Sequence, residues 1–547
     1  MIAALIHPPS RAHRRALAGA LVLALLPCVR GAYADELEAP AHFELEPPPL
    51  IADRPYHPIR ATFETATAGA LGAAWYWSDL DFNTRDWDLT WNWPSWKRKF
   101  TLEAVRFDQN LYQTNAVSHP RMGVLQYATM RGNGFGLPAS VLGTLGSSLF
   151  WEYLVEFKEM PSVNDIITNT TAGLAIGEPF YQLGEFFLRS RPNLFTRGMA
   201  AAFSPIASSN DWYEERWRRG EGAGLLGLSD IYPHRFEITG AMARRSFAHP
   251  RTAAENPAVD GGGGSYATVG TAPTDAFVLT LSSDLVMLPP YGRSGHVALW
   301  TSPGTFTSMT ARLVLEQPSR VSGSLLTRTS LFGRYSQIFV RDLDRQLTGH
   351  GSFVGAGSAF EYESFARPDR DDHSAVMNFF GPVAELVVRE GGLHLKLAAE
   401  LYADFAMVDS LALAGRLPTL TSEIFHPAAF GGNLPSVLGA RGYYYAYGLT
   451  AGTRMAISYW GWDTGAEVRG DDLHGITAFD RFQDEITHEP ALVDQRVLSR
   501  AWVAISPWGS GPRVELGMRW RWRHSVADDL TATTLDTDIA IALSLAF

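Results

Sequence analysis

The chain closes on 537-TDIAIALSLAF-547, and the fold follows from how that stretch is read. Ile539, Ile541, Leu543, Leu545 and Phe547 fall on one side of an extended chain, and Asp538, Ala540, Ala542, Ser544 and Ala546 on the other. Side chains two apart share a face of a strand, so this one is apolar on one side and small or polar on the other. The stretch 513-RVELGMRWRWR-523 sharpens the pattern: Val514, Leu516, Met518, Trp520 and Trp522 alternate with Arg513, Glu515, Arg519, Arg521 and Arg523. A soluble core has no use for a row of arginines opposite a row of large apolar side chains. A wall with lipid on one side and a polar lumen on the other requires both, with the tryptophans near an interface.

The same alternation runs upstream through Leu393, Leu395, Leu397, Leu401 and Phe405 against His394, Lys396, Glu400 and Asp404. Phe277, Leu279 and Leu281 repeat it less cleanly. About a dozen segments between Pro233 and Phe547 have the ~9–11 residues that a tilted spanning strand needs. Turn-rich or charged stretches at 255–265, 367–374 and 409–437 separate them and are expected to be external loops where long. The short 508-WGSGP-512 is expected to be a periplasmic turn. Single-chain bacterial barrels use even strand numbers, which predicts about 12 strands, with 10 and 14 as the neighbouring solutions. The expected class is mainly β with a helical insert: a transmembrane antiparallel β-barrel at 231–547 and a helical plug or periplasmic helical domain at 109–230.

The first 34 residues read as an export signal. Arg11, Arg14 and Arg15 precede an apolar run from Ala16 to Leu26, and Ala32-Tyr33-Ala34 fits a cleavage site near Ala34. The only cysteine, Cys28, would leave with the signal, so no disulfide or thiolate-held metal is expected. Removing the signal's four arginines, with no acid among its residues, takes the formal charge from −11 to −15. That excludes nucleic acid as a partner, because phosphate binding needs clustered cations. No later run approaches 18 apolar residues, so spanning by helices is not expected.

Residues 35–108 combine a Pro-rich acidic linker with a Trp-dense segment holding Trp75, Trp77, Trp87, Trp91, Trp93 and Trp96, suited to an interface or a barrel mouth. The stretch 99-KFTLEAVRFD-108 fits a strand, which would start the barrel before the helices. Three helical stretches follow. The first opens at Ser118-His119-Pro120 with Ser118 as cap, and the second runs from about Pro138 to Met160 with Ser148, Glu152 and Glu156 on one face. The third starts at Ser162, where Ser162-Val163-Asn164-Asp165 fits a capping box with Asp165 as the returning acid. Asp165, Asn169, Gly173 and Gly177 fall four apart, and Glu178 precedes Pro179 at a break. Polar faces of this kind argue against lipid exposure, so these helices are expected in the lumen or the periplasm.

The order Asn115, His119-Pro120, Gly123, Tyr127, Ser147 or Ser148, Trp151-Glu152, Glu156, Ser162, Asn164-Asp165, Gly173 and Gly177-Glu178 resembles an uncharacterised bacterial envelope family, the domain of unknown function 3943, over about residues 110–190. That likeness implies an envelope location and no activity. The final strand ending on Phe547 resembles the terminal assembly signal of Gram-negative outer-membrane barrels. It implies an outer-membrane location, outer-membrane lipid as surroundings and the outer-membrane assembly machinery as a partner in biogenesis, and leaves the oligomeric state open.

Chemistry, if present, rests on His119, Glu152, Glu156 and Asp165, which fit an acid–base set, and His119, Glu152 and Glu156 also fit the ligands of a divalent metal. No cofactor is otherwise expected, since no HExxH, GxSxG, P-loop or Cys-His set occurs. Asn115, Asn169 and Glu178 are candidate binding residues, and the row Arg519, Arg521 and Arg523 fits selection of anionic solutes or attachment of acidic helices. The leading expectation is passage of solutes or envelope organisation without covalent chemistry. The alternatives are an envelope enzyme acting on lipid, lipopolysaccharide or cell-wall fragments, and a structural or assembly partner.

Overall fold

The computed structural model describes residues 54–78, 87–216, 220, 222, 226–229, 232–250, 268–270, 273–287, 304–316, 319–341, 347–367, 371–413, 432–506 and 512–546. The export signal, Cys28, most of the 508–512 turn, the 255–265 loop, most of the 409–437 loop and Phe547 lie outside them. The strands are β1 (His234–Ser246), β2 (Ala248–Pro250), β3 (Thr268–Gly270), β4 (Thr274–Met287), β5 (Gly304–Glu316), β6 (Arg320–Arg341) and β7 (Leu347–Ala366). They continue as β8 (Asp371–Glu390), β9 (Leu393–Asp409), β10 (Tyr443–Tyr459), β11 (Trp462–Gly475), β12 (Leu492–Ile505), β13 (Arg513–Ala527) and β14 (Leu530–Ala546). β2 and β3 form a separate ribbon, and the other twelve close into one antiparallel barrel in which β1 pairs with both β4 and β14.

Two ends can be told apart. The near end carries the first and last strand termini, His234 and Ala546, and two-residue turns at Gly391-Gly392 and Trp460-Gly461, whose positive φ values suit tight hairpins. The far end carries the long connections at 410–442 and 476–491.

Register fixes which side of the wall each residue faces. Ile541 pairs with Leu516 and Leu516 with Val503, and all three are exposed, Ile541 at 65%. The opposite parity points into the lumen. Arg521 of β13 reaches Glu363 of β7 at 2.6 Å, Arg523 reaches Asp372 of β8 at 2.6 Å, and Arg367 after β7 reaches Asp536 of β14 at 3.1 Å. Those strands stand on opposite sides of the ring, so the bridges run through its interior. Arg328 of β6 joins Glu467 of β11 at 3.1 Å, and Arg469 of β11 joins Glu361 of β7 at 3.0 Å. At the far end Leu411, Ala412 and Leu413 fold inward onto Val376, Ala406, Tyr444 and Leu473. The Ala412 amide donates to Ser525 Oγ at 3.3 Å.

The predicted arginine row is therefore lumenal but already neutralised. Arg519 lies 3.5 Å from Glu363, Arg521 shares that carboxylate, and Arg523 also pairs with Asp494 at 2.7 Å. It pairs with wall carboxylates, not with the helices, which corrects the expectation that it holds them.

Among the described residues eight helices precede the barrel: α1 (Pro58–Ser78), α2 (Trp93–Phe100), α3 (His119–Gly132), α4 (Leu137–Phe150), α5 (Val163–Ala175), α6 (Gly177–Arg189), α7 (Leu194–Phe203) and α8 (Pro205–Tyr213). A ninth, short helix spans Ser436–Arg441 in the far-end connection. The helical domain does not enter the lumen; it stacks on the outside of the wall. Ala172, Ala175 and Ile176 pack on Phe360, Met377, Phe405, Met407, Tyr443 and Tyr445. Met377 pairs with Phe405 and Phe405 with Tyr447, in the same alternation as exposed Leu401 and Leu449. Toward the near end Phe186 and Phe187 of α6 pack on Phe236, Leu285 and Met309, again on the outer parity.

This placement corrects the expectation of a lumenal plug, and its cause is visible in the helices. Their polar faces turn toward one another, and the outward faces of α1 and α4 carry no charge: Ile59, Phe63, Leu71 and Trp75 of α1, and Leu142, Leu149 and Phe150 of α4, are exposed. The charged residues of α1 turn inward, Arg60 to Glu214 at 2.6 Å and Glu64 to Asn133 at 2.6 Å. No helix among the described residues is long and apolar enough to cross a membrane.

Three local expectations also change. Residues 99–108 are not a barrel strand: α2 runs to Phe100 and a turn follows. Arg106 and Phe107 make only isolated bridges to Ser162 and Asp480. Ser118 does not cap α3, because a π-helical turn, Thr114–Ser118, runs straight into it and leaves no free N-terminus there. The second helix stops at Phe150 and continues as a π turn, Trp151–Val155.

Candidate functional site

Three helices build the site by close approach. A Cβ on Gly123 of α3 would stand 2.0 Å from the Asn169 carbonyl oxygen of α5, so these backbones touch only because the residue is glycine. Gly177 meets the Tyr127 ring in the same way, at 2.9 Å. α3 and α5 therefore run side by side in one direction and bring His119 to the first turn of α5, while α4 returns beside them and delivers Glu152.

Ser162 caps α5, its Oγ accepting from the Asp165 amide at 3.4 Å. The returning acid is Glu152 rather than Asp165: the Ser162 amide donates to Glu152 Oε2 at 2.7 Å, across from the neighbouring π turn. That exchange inverts the sequence-based sorting, because Glu152 has a structural partner and Asp165 is released from capping. Asn164 Nδ2 donates to Asp165 Oδ1 at 2.8 Å, and the other Asp165 oxygen lies 3.4 Å from His119 Nε2.

The third member was not singled out from the sequence. Asp108 offers a carboxylate oxygen within 4.8 Å of both the His119 and Asp165 ligand atoms. Asn115 Nδ2 and the Tyr445 hydroxyl donate to Asp108 Oδ1 at 2.7 and 2.9 Å, and the Asp108 amide donates to Asn164 Oδ1 at 3.0 Å. The polar run Asp108, Asn110, Asn115 and His119 was the available signal, hidden because 99–108 fits a strand pattern. Tyr443 and Tyr445 have no local signal at all, since they come from β10, on the other side of the sequence.

The electrostatics are unusual for their lack of cations. Among the described residues no arginine pairs with Asp108, Glu152, Glu156 or Asp165. Lys99 lies closest, and its ammonium donates to the backbone carbonyls of Glu152 and Glu156 at 3.0 and 3.1 Å. Burial, with Asp108 and Glu159 nearby, pushes the Glu152 carboxyl up to about 8. Burial and Glu152 push Glu156 well above its ordinary value, and burial and Asp108 do the same to Asp165. Burial lowers His119. Lys99 is brought down to about 8 by burial, against the pull of Glu152.

The other candidates divide. Glu178 accepts two bonds from Arg131, at 2.9 and 3.1 Å, one from Tyr127 at 2.7 Å and one from Gln182 at 2.6 Å, which makes it a structural tie between α3 and α6. Asn169 donates to Ser148 Oγ at 3.1 Å and lies a turn beyond the Asp108–His119–Asp165 group. Glu156 is half-buried beside this group and does not belong to it. Farther along the domain burial alone would raise Glu185, but Arg54 and Arg189 hold it down at about 2.

Residues 104–206, which hold every helical member of this site, match the family described as Domain of unknown function (DUF3943). No curated protein matches the chain. Among solved structures the chain is similar to the translocator domain of autotransporter NalP from Neisseria meningitidis, at 10% identity over 56% of this chain and 87% of that one, with a TM-score of 0.18. It is similar to the β domain of the Bordetella autotransporter Brka at 9% identity, covering 58% of this chain and 100% of that one, with a TM-score of 0.20. A Pseudomonas aeruginosa FadL homologue matches at 12% identity, covering 58% and 91%, with a TM-score of 0.16. These likenesses attach no activity to the chain.

Proposed function

We propose that the chain is an outer-membrane β-barrel that works on its outer wall rather than through its lumen, with the helical domain as an envelope enzyme acting on lipid or lipopolysaccharide. One contrast carries the reading. The lumen is crossed by arginine–carboxylate bridges and packed at the far end by residues 411–413, whereas among the described residues the acids around His119 are left without arginine. A lumenal cavity of about 160 Å³ remains toward the near end, but Arg328, Lys396, Arg454 and Arg469 there face Asp284, Glu385, Glu400 and Glu467. That balance gives no preference for anionic solutes.

The outward rows of Leu, Ile and Val suit lipid, and long loops at the far end suit the outer face of the membrane. The site lies beside that end, through Tyr443 and Tyr445, at the level of the outer leaflet. An imidazole framed by carboxylates can take a proton from water or a hydroxyl, or hold a cation that activates one.

The test has two arms. Purified barrel in planar bilayers is expected to give no stepwise conductance. Envelope lipids of cells lacking the protein are expected to differ from wild type and to stay different when Asp165→Asn is supplied in its place. Steady channel activity, or a lipid profile indifferent to both changes, would sink the proposal. Envelope organisation is a second reading, favoured by Trp91, Trp93 and Phe100, which stand exposed together at 63%, 71% and 63%. Crosslinking from those positions in intact cells tests it.

A further inference from the structure

We infer that Asp108, His119 and Asp165 bind one divalent transition-metal ion of the zinc or manganese class. The inference concerns the centre of the proposed reading, but cation binding can succeed where lipid turnover fails, so the two are separable by experiment.

The ligand atoms come from three separately positioned pieces of chain: the turn before the first π helix, the first residue of α3 and the first turn of α5. The separation of 3.4 Å between His119 Nε2 and Asp165 Oδ2 is the edge of a tetrahedron whose centre lies about 2.1 Å from each corner, the ordinary zinc bond. His119 Nε2 is sealed from solvent yet makes no hydrogen bond, even with that carboxylate beside it. The imidazole is not placed to share a proton; it presents a nitrogen with nothing to serve.

Asn115 supplies an independent sign. Its side chain is wholly buried, its Nδ2 rests on the Asp108 carboxylate, and its Oδ1 has no partner. A buried amide oxygen without a donor costs about 1–3 kcal/mol, and it sits on a side chain whose other end touches the Asp108 carboxylate.

Charge points the same way. Asp108 and Asp165, with Glu152 and Glu156 behind them, crowd four carboxyl groups into a space whose nearest ammonium is committed to backbone carbonyls. Elsewhere in the same domain Glu178 and Glu185 each have arginine. The groups that hold the ligands are in place as well: the Tyr445 hydroxyl and Asn115 orient Asp108, and Asn164 orients Asp165. One imidazole with two carboxylates suits a transition ion, whereas calcium and magnesium prefer oxygen alone.

The experiment uses the full chain in detergent, stripped with EDTA and titrated calorimetrically with Zn²⁺, Mn²⁺, Mg²⁺ and Ca²⁺. One transition ion per chain is expected, with Asp108→Asn and Asp165→Asn each weakening Zn²⁺ binding by ~100-fold. Glu214→Gln, distant in the same domain, is expected to bind as wild type. A mobility difference between cold and boiled samples checks that each variant is folded. Co²⁺ added to the unaltered chain is expected to give visible absorption bands that Zn²⁺ displaces, a readout that needs no variant. No retained ion, a preference for Mg²⁺ or Ca²⁺, undiminished binding in folded Asp165→Asn, or absence of a displaceable Co²⁺ band would each overturn the assignment.

Discussion

The lumen and the site around His119 both bury carboxylates, and they treat them in opposite ways. In the lumen Asp372, Asp494, Asp536 and Glu363 each meet an arginine within 3.1 Å. Around His119 the carboxylates meet amides, hydroxyls and one another. A pair that neutralises itself locks two strands and is finished. A cluster left with surplus charge is either protonated or waiting for a cation, and only that kind can respond to its surroundings.

The largest effect on this contrast is expected from Arg523→Ala, which would take from Asp372 and Asp494 the arginine they share and leave Asp372 with Arg367 at 3.1 Å and Asp494 with Arg496 at 3.6 Å. Removing one partner of such a buried network costs about 3–5 kcal/mol, to be read from denaturant unfolding in detergent. A loss under about 1 kcal/mol would mean that the lumen is wetter than its packing indicates.

Gly123→Val comes next, at about 1–3 kcal/mol, because its side chain would collide with the Asn169 carbonyl and part α3 from α5. The loss should appear as protease cleavage within the helical domain while the barrel keeps its heat-dependent gel mobility.

Glu152 sharpens the comparison by pH. Its carboxyl is held up at about 8 against an ordinary 4.5, so the folded domain keeps a proton that the unfolded chain releases. The stability this supplies is complete below the unfolded value and is lost as pH rises through about 8. The metal-free domain should therefore melt at falling temperatures from pH 5 to pH 9, and Glu152→Gln should flatten that slope. An identical slope in the variant would refute the assignment. The smallest effect belongs to Arg519→Ala, whose partly open pair at 3.5 Å is worth under ~1 kcal/mol by the same unfolding measurement.

The barrel was legible because a strand declares its two sides in a period of two, and Arg519, Arg521 and Arg523 against Trp520 and Trp522 leave one arrangement for both. The side on which the helices lie was not legible. Their polar positions looked like surfaces needing water, and only the fold shows them facing one another. The site was half legible for the same reason. His119 and Asp165 sit on recognisable helix starts, whereas Asp108 lay in a stretch that imitates a strand and Tyr445 comes from more than three hundred residues away. Which acid completes the Ser162 cap could not be read locally, since Glu152 arrives from another helix.

The wall beneath the helices carries Thr307, Thr327 and Thr329 on its outer parity, all buried, and none of their hydroxyls has a partner. Facing bare hydrocarbon, such a strip would be a seam of weak lipid contact along two neighbouring strands. Docked over that strip, the helices spare the wall the seam, so the soluble-looking half of the chain completes the outer surface of its own barrel.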